Sequence, residues 1–98
     1  MKQVVFHPLA EKELIDAAIY YEGQEPDLGE KYLAEVGQAV SFIAQYPEAG
    51  FIVRGSLRRL TLPKFPYYLL YRVLGNAQIR VLAVAHHKRR PKYWVDRE

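Results

Sequence analysis

The apolar residues of this chain change their spacing near Gly50, and this change constrains the fold more than any other feature of the sequence. Before Gly50 they recur every three or four positions, which is the period of a helix with one buried face. After Gly50 they alternate or run together in short β-branched and aromatic stretches, as strands do. The pattern therefore predicts an α+β domain with its helices early in the chain and most of its strands late.

The helical part follows a short predicted strand at residues 2–6 and contains two helices. Pro8 suits the first turn of a helix, since its missing N–H would be unpaired there, and the first helix is expected to end near Gly23. Asp27 is positioned to cap a second helix that stops at Tyr46. The apolar stripes are formed by Ala10, Leu14, Ala17 and Tyr21 in the first helix and by Leu33, Val36, Val40 and Ile43 in the second. We therefore expect an antiparallel two-helix hairpin.

Three strands are predicted after the helices, at residues 58–62, 67–73 and 79–85. Pro63 and Pro66 separate the first two strands, and Gly75-Asn76 is typical of a tight antiparallel hairpin between the last two. The basic tail, residues 87–98, is expected to be irregular or briefly helical. The prediction is a single domain, residues 1–98, whose three-stranded antiparallel C-terminal sheet has one face covered by the helices and the other open.

Charge is divided between the two halves of the chain. Residues 1–50 carry three lysines against nine acidic residues, a net charge of −6, and residues 51–98 carry eleven basic residues against two acidic ones, a net charge of +9. The second half is therefore expected to face an anionic partner, either nucleic acid or an acidic protein segment. An acidic helical layer beside a basic sheet, both simply solvated, would explain the same charges.

Composition excludes several classes of site. The chain has no cysteine, so disulfides, thiolate zinc sites and a cysteine nucleophile are excluded. The N-terminus lacks the apolar core of a signal peptide, and no apolar run approaches the roughly 20 residues of a membrane helix. His86 and His87 are consecutive strand residues that should point to opposite faces, so they are poorly placed to share a metal ion. We expect a cytoplasmic protein with no metal, no cofactor and no membrane partner.

The sequence resembles the RelE/ParE superfamily of bacterial toxins over nearly its whole length. The resemblance lies in F-HPLAEKEL near the start, the YYE segment, FPYYLLYRV, and the ending VLAVAHHKRRPKYW. The order of alanine-histidine, arginine, proline and tyrosine-tryptophan in that ending resembles the ParE branch. The resemblance implies a strand–helix–helix–three-strand fold, toxicity, and a cognate antitoxin that joins a DNA-binding domain to a tail wrapping the toxin.

An acidic, amphipathic antitoxin tail would complement the basic second half of the chain. The residues expected to contact this partner are Arg54, Arg58, Arg59, Arg72, Arg80, Arg89 and Trp94. Arg89 matches the arginine of the family's ending, although a salt bridge that anchors the tail would explain it equally well. Apolar residues on an open sheet face would also allow the free toxin to form a homodimer.

The resemblance leaves two activities open. Characterised ParE-like toxins bind and poison DNA gyrase without being enzymes, whereas RelE-like toxins cut messenger RNA on the ribosome. RNA cleavage needs a proton acceptor, a proton donor and cations at the phosphate. For a RelE-like protein the candidate catalytic residues are Arg59, Arg80, His87 and Tyr93.

The same residues have structural explanations. Tyrosine, with a pKa near 10, is a poor base, and packing of the tail on the sheet would explain both Tyr93 and Trp94. The ParE-like ending, and the lack of a lysine-rich segment before the first central strand, favour gyrase poisoning. Ribosome-dependent cleavage is the alternative, and a non-toxic module that only binds an antitoxin is a third possibility.

Overall fold

The structure, a computed structural model, describes residues 2–75 and 78–97. Its elements in chain order are β1 (Gln3–Phe6), α1 (Pro8–Gln24), α2 (Leu28–Gln45), β2 (Phe51–Arg54), β3 (Leu57–Thr61), β4 (Tyr67–Leu74), β5 (Gln78–His86) and a 3₁₀ turn (Val95–Arg97). The two helices pack against each other and cover one face of the sheet. The α+β class and the briefly helical tail are therefore confirmed, while the predicted turn at Gly75-Asn76 falls partly outside the described residues.

The sheet has five strands, not the predicted three. Their order is β1-β5-β4-β3-β2, with β1 parallel to β5 and all other neighbours antiparallel. β2 was not predicted, because all four of its residues are exposed and its sequence lacks the alternation of a half-buried strand. The pairing of β1 with β5 was not predicted either, because a parallel contact between distant segments produces no local sequence pattern.

The two helices begin differently. At α1 the His7 Nδ1 atom accepts a hydrogen bond from the Leu9 N–H at 3.0 Å, so His7 caps this helix. Asp27 occupies the N-cap position of α2, but it has φ 71° and makes no capping hydrogen bond, so its predicted role was wrong. The Glu22 carboxylate, from α1, instead accepts from the Asp27 and Gly29 N–H groups at 3.0 and 3.1 Å.

The buried stripe of α2 also differs from the prediction. Its buried residues are Gly29, Tyr32, Val36, Ala39, Ile43 and Ala44. Leu33 is 43% exposed. Tyr32 takes the inner position because its ring packs among aromatic neighbours, with ring centroids 5.3 Å from both Tyr21 and Phe65. Aromatic packing from two other segments therefore decides which side of α2 faces the sheet.

The face of the sheet opposite the helices, called the far face below, is not fully open as predicted. The C-terminal tail folds back over it, and Trp94 is only 4% exposed. Trp94 packs in a second small core with Leu57, Leu70, Leu82, Ala83 and Ala85. The sheet is thus covered by helices on one face and partly by the tail on the other.

The connection between α2 and β2 is fixed to the sheet by Tyr71. Its buried hydroxyl donates to the Pro47 carbonyl at 2.8 Å and accepts from the Gly50 N–H at 2.9 Å. A Cβ atom at Gly50 would lie 2.7 Å from the Arg59 carbonyl and 2.8 Å from that hydroxyl, so this close approach requires glycine. No helix of the described residues is long and apolar enough to cross a bilayer.

Candidate functional site

The tail is anchored to the first helix by a paired carboxylate and guanidinium. Glu13 Oε1 accepts from Arg97 Nη1 at 2.8 Å, and Glu13 Oε2 accepts from Arg97 Nη2 at 2.9 Å. The two side chains are 15% and 9% exposed, respectively. A side-on pair of this kind combines two charge-assisted hydrogen bonds with a fixed orientation. Glu13 therefore determines where the tail lies.

The same pair closes the edge of β5. β1 accompanies β5 only as far as Val81, which leaves the rest of this edge without a neighbouring strand. Glu13 Oε1 accepts from the Val84 N–H at 3.0 Å, and Arg97 Nη1 donates to the Leu82 carbonyl at 3.0 Å. The two side chains thus bind backbone groups that a neighbouring strand would otherwise bind, and they protect this edge from pairing with another chain.

Tyr93 lies between two guanidinium groups of the tail. Its ring centroid is 3.9 Å from the Arg89 guanidinium carbon and 5.0 Å from that of Arg97. Arg89 Nη1 also approaches Glu13 Oε2 at 3.9 Å, which fits the anchoring interpretation of Arg89. Burial raises the pKa of Tyr93, and the neighbouring Glu13 carboxylate raises it further. The phenol ring therefore packs the tail between the two guanidinium groups.

The two histidines at the end of β5 face different sides of the sheet, as predicted. The His86 ring contacts Tyr67 at 5.0 Å and its Nδ1 accepts from the Lys88 N–H at 3.0 Å, whereas the His87 ring contacts Tyr68 at 6.0 Å. A cavity of about 230 Å³ lies beside His86. It is lined by Glu13, Asp16, Ala17, Tyr20, Tyr67, Val84, His86 and Arg89. Within residues 2–75 and 78–97, no group of three or more His, Cys, Asp or Glu could hold a metal ion.

The predicted partner-binding arginines divide between the two faces. Strand pairing aligns Arg54, Leu57, Arg72 and Arg80 in one row across the far face. Arg59 lies on the same face, with its guanidinium carbon 4.0 Å from the Tyr68 ring centroid. Arg58 points to the other face, where its Nη1 donates to the carbonyls of Gly50 at 2.8 Å and Glu48 at 3.2 Å. Arg58 therefore supports the α2–β2 connection.

The four candidate catalytic residues do not meet at one point. Arg59 and His87 both contact Tyr68, which was not among the predicted site residues. Its alternation with Tyr67 showed that the two rings lie on opposite faces, but not which of them lies on the far face. Arg80 lies seven positions before His87, a separation of roughly 20 Å along an extended strand. Tyr93 lies in the tail, with its hydroxyl oxygen buried near Glu13.

Comparison with known proteins agrees with the fold. The model of the family described as "ParE toxin of type II toxin-antitoxin system, parDE" matches residues 4–91. A protein of Sinorhizobium fredii (strain NBRC 101917 / NGR234) named "Putative toxin Y4kP" is 32% identical over 78 residues, which cover 79% of this chain and 81% of that protein.

A solved structure described as "Chromosomal ParDE TA system from P. aeruginosa" has the same fold. It matches with a TM-score of 0.76 at 22% identity, over 88% of this chain and 96% of that one. The family match extends over most of the chain, and the relative from Sinorhizobium fredii covers more than two thirds of it. This chain therefore belongs to the ParE toxin family of type II toxin–antitoxin systems.

Proposed function

We propose that this protein is a toxin that poisons DNA gyrase and is held inactive by a cognate antitoxin. The observation that carries the proposal is that the four candidate catalytic residues do not meet at one point. A ribonuclease needs a proton acceptor, a proton donor and cations within reach of one phosphate, but Arg80 in β5 is roughly 20 Å from His87, which follows that strand. A protein that acts by binding another enzyme has no such requirement, and membership of the ParE family supports this mode of action.

The antitoxin is the second partner in the proposal. The positive charge of the sheet supports binding of an acidic antitoxin, because the five strands contain several arginines and no acidic residue. An acidic antitoxin segment would be attracted to the basic side of the molecule, where Arg89 lies beside the tail, with favourable electrostatic steering. A gyrase target would place the action of the toxin in the cytoplasm.

The test is a gyrase assay with the purified chain. We expect the protein to inhibit DNA supercoiling and to increase cleaved DNA, and we expect the antitoxin encoded beside it to reverse both effects. The Asp16→Ala variant, changed at an exposed position of α1, serves as the control and should behave as the unaltered protein. Absence of any effect from folded protein would contradict the proposal.

A second candidate function rests on the cluster of Arg59, Tyr68 and His87. It places a cation, a phenol and an imidazole together on the far face, so ribosome-dependent cleavage of messenger RNA is the alternative. In that case His87→Ala should abolish cleavage by translating ribosomes. Undiminished cleavage by both Arg80→Ala and Tyr93→Phe would remove those two residues from the site. Antitoxin binding without either activity would identify a non-toxic binding module.

A further inference from the structure

The two layers of the molecule carry opposite charge. None of the five strands contains an acidic residue, whereas the nine acidic residues of the first half all lie in α1, α2 or the loops that follow them. The helix layer is therefore negative and the far face is positive. A charge distribution of this kind orients a polyanion toward one side of a protein and repels it from the other.

Like charges face each other directly on the far face. Arg72 of β4 and Arg80 of β5 are cross-strand partners, which places their Cα atoms about 5 Å apart. Like charges in this position destabilise a sheet. The field of the row extends to His7, whose pKa is lowered by loss of solvation and by the charge of Arg80. Arg54 and Arg72 each also have interactions within the protein. The attraction for a polyanion therefore comes from the positive field of the face and does not depend on unpaired hydrogen-bond donors.

We propose that the far face binds the phosphate backbone of duplex DNA through Arg54, Arg59, Arg72 and Arg80. The row from Arg54 to Arg80 crosses the four strands β2, β3, β4 and β5. Three strand spacings of about 4.8 Å make it about 15 Å wide. A duplex presents phosphates from both strands over such a width, and cations on a broad face are sufficient to bind them. This inference goes beyond gyrase poisoning and can fail separately from it.

The aromatic residues of the far face favour a duplex over a single strand. Proteins that hold single-stranded nucleic acid stack its bases on free aromatic rings. Here the Arg59 guanidinium covers one side of the Tyr68 ring at 4.0 Å, and Trp94 is 4% exposed. Phe51, the cross-strand partner of Arg59 on the outer strand β2, is 63% exposed, but one ring does not provide the succession of stacking surfaces that a single strand uses. An acidic peptide would gain affinity from a strand edge or apolar pockets, but Arg72 and Arg80 lie on central strands.

The test is the fluorescence anisotropy of a labelled duplex of about 20 bp, titrated with the full chain in the absence of gyrase. Four phosphate contacts predict that affinity falls about 100-fold between 50 and 200 mM salt. Arg54→Gln/Arg80→Gln changes two exposed residues of the row. Its affinity should fall only about 10-fold over the same salt range and should be about 10-fold weaker than the unaltered protein at 50 mM salt.

The matched control is Lys31→Gln/Lys64→Gln, which removes two positive charges beside α2 and should leave binding within about twofold of the unaltered protein. Thermal unfolding checks that each variant is folded. An equal loss in both double variants would mean that only net charge matters and would overturn the site, as would no binding at the lower salt concentration. Tighter binding of a single-stranded DNA or RNA of equal length would overturn the assignment to duplex DNA.

Discussion

Glu13 and Arg97 stand 84 positions apart in the chain and meet side-on, with donor–acceptor distances of 2.8 and 2.9 Å. The pair joins the first helix to the last described turn, and both side chains also bind backbone groups of β5. Three separate parts of the fold, α1, β5 and the tail, therefore depend on one carboxylate.

Removing that carboxylate should destabilise the protein strongly. Glu13→Ala leaves the largely buried Arg97 without a counter-charge and the Val84 N–H without its acceptor, so we expect a loss of about 3 kcal/mol in the free energy of unfolding. Urea denaturation measures it. Asp16→Ala, one turn further along α1, breaks only an exposed pair with Lys12 and should cost less than about 0.5 kcal/mol. Similar costs for the two variants would contradict the anchoring role of Glu13.

Two fully buried tyrosines should respond differently to loss of the hydroxyl. Tyr71→Phe leaves the Gly50 N–H and the Pro47 carbonyl without their partner, and we expect a cost of about 1–3 kcal/mol in thermal or urea unfolding. Within residues 2–75 and 78–97 the Tyr32 hydroxyl has no hydrogen-bond partner. Tyr32→Phe should therefore leave stability unchanged or raise it. The reverse order of the two variants would show that these hydrogen bonds are assigned incorrectly.

The start of α2 should depend on Glu22 and not on Asp27. Glu22→Ala removes the acceptor of two N–H groups, and loss of a cap costs about 1–2 kcal/mol. Asp27 has φ 71° and contributes no cap, so Asp27→Gly relieves an unfavourable backbone conformation and should raise stability by up to about 1 kcal/mol. Differential scanning calorimetry of the two variants checks this, and destabilisation by Asp27→Gly would speak against it.

Acidification should weaken the folded state through His7. Loss of solvation and the charge of Arg80 lower the pKa of His7 in the folded protein below its ordinary value of 6.5. Between these two pKa values the unfolded chain binds a proton that the folded protein does not, so stability falls as the pH drops below about 6.5. The loss is complete below the folded pKa.

The measurement is the free energy of unfolding as a function of pH. His7→Asn keeps a capping acceptor but removes the titration, so its stability should vary less with pH between about pH 7 and pH 5. His87→Asn is the matched control, because it leaves His7 in place. Identical pH profiles for the two variants would exclude His7 as the source of the effect.

The local spacing of apolar residues predicted the helices and strands that bury one of their faces. Both helices, together with β3, β4 and β5, follow from the spacing of their apolar residues. Contacts between distant segments did not follow, because they leave no mark on spacing. The parallel pairing of Gln3 with Gln78 is one case, and the inward position of Tyr32 instead of Leu33 is another. The prediction that Asp27 caps α2 was wrong because it rested on residue type alone, whereas the acceptor at the start of α2 is the Glu22 carboxylate of the preceding helix.

The candidate site was only partly predictable for the same reason. Alternation along β3 separates Arg58 from Arg59, and the sequence alone did not show which of the two faces the helices. Glu13 carried one detectable signal, since it lies three positions after Ala10 and four before Ala17, on the side of α1 that is otherwise apolar. Its partner Arg97 could not be identified, because the path of the tail depends on the packing of Trp94 against the far face.

The parallel pairing of β1 with β5 also sets the order in which a newly made chain can be completed. Gln3 through Phe6 are translated more than 70 residues before their neighbours Gln78 through Val81. Contacts between such distant segments form late because the long intervening chain must first be ordered. A ribosome that has not yet made residues 78–81 therefore holds β1 without its parallel neighbour, and the sheet closes only after β5 has been made.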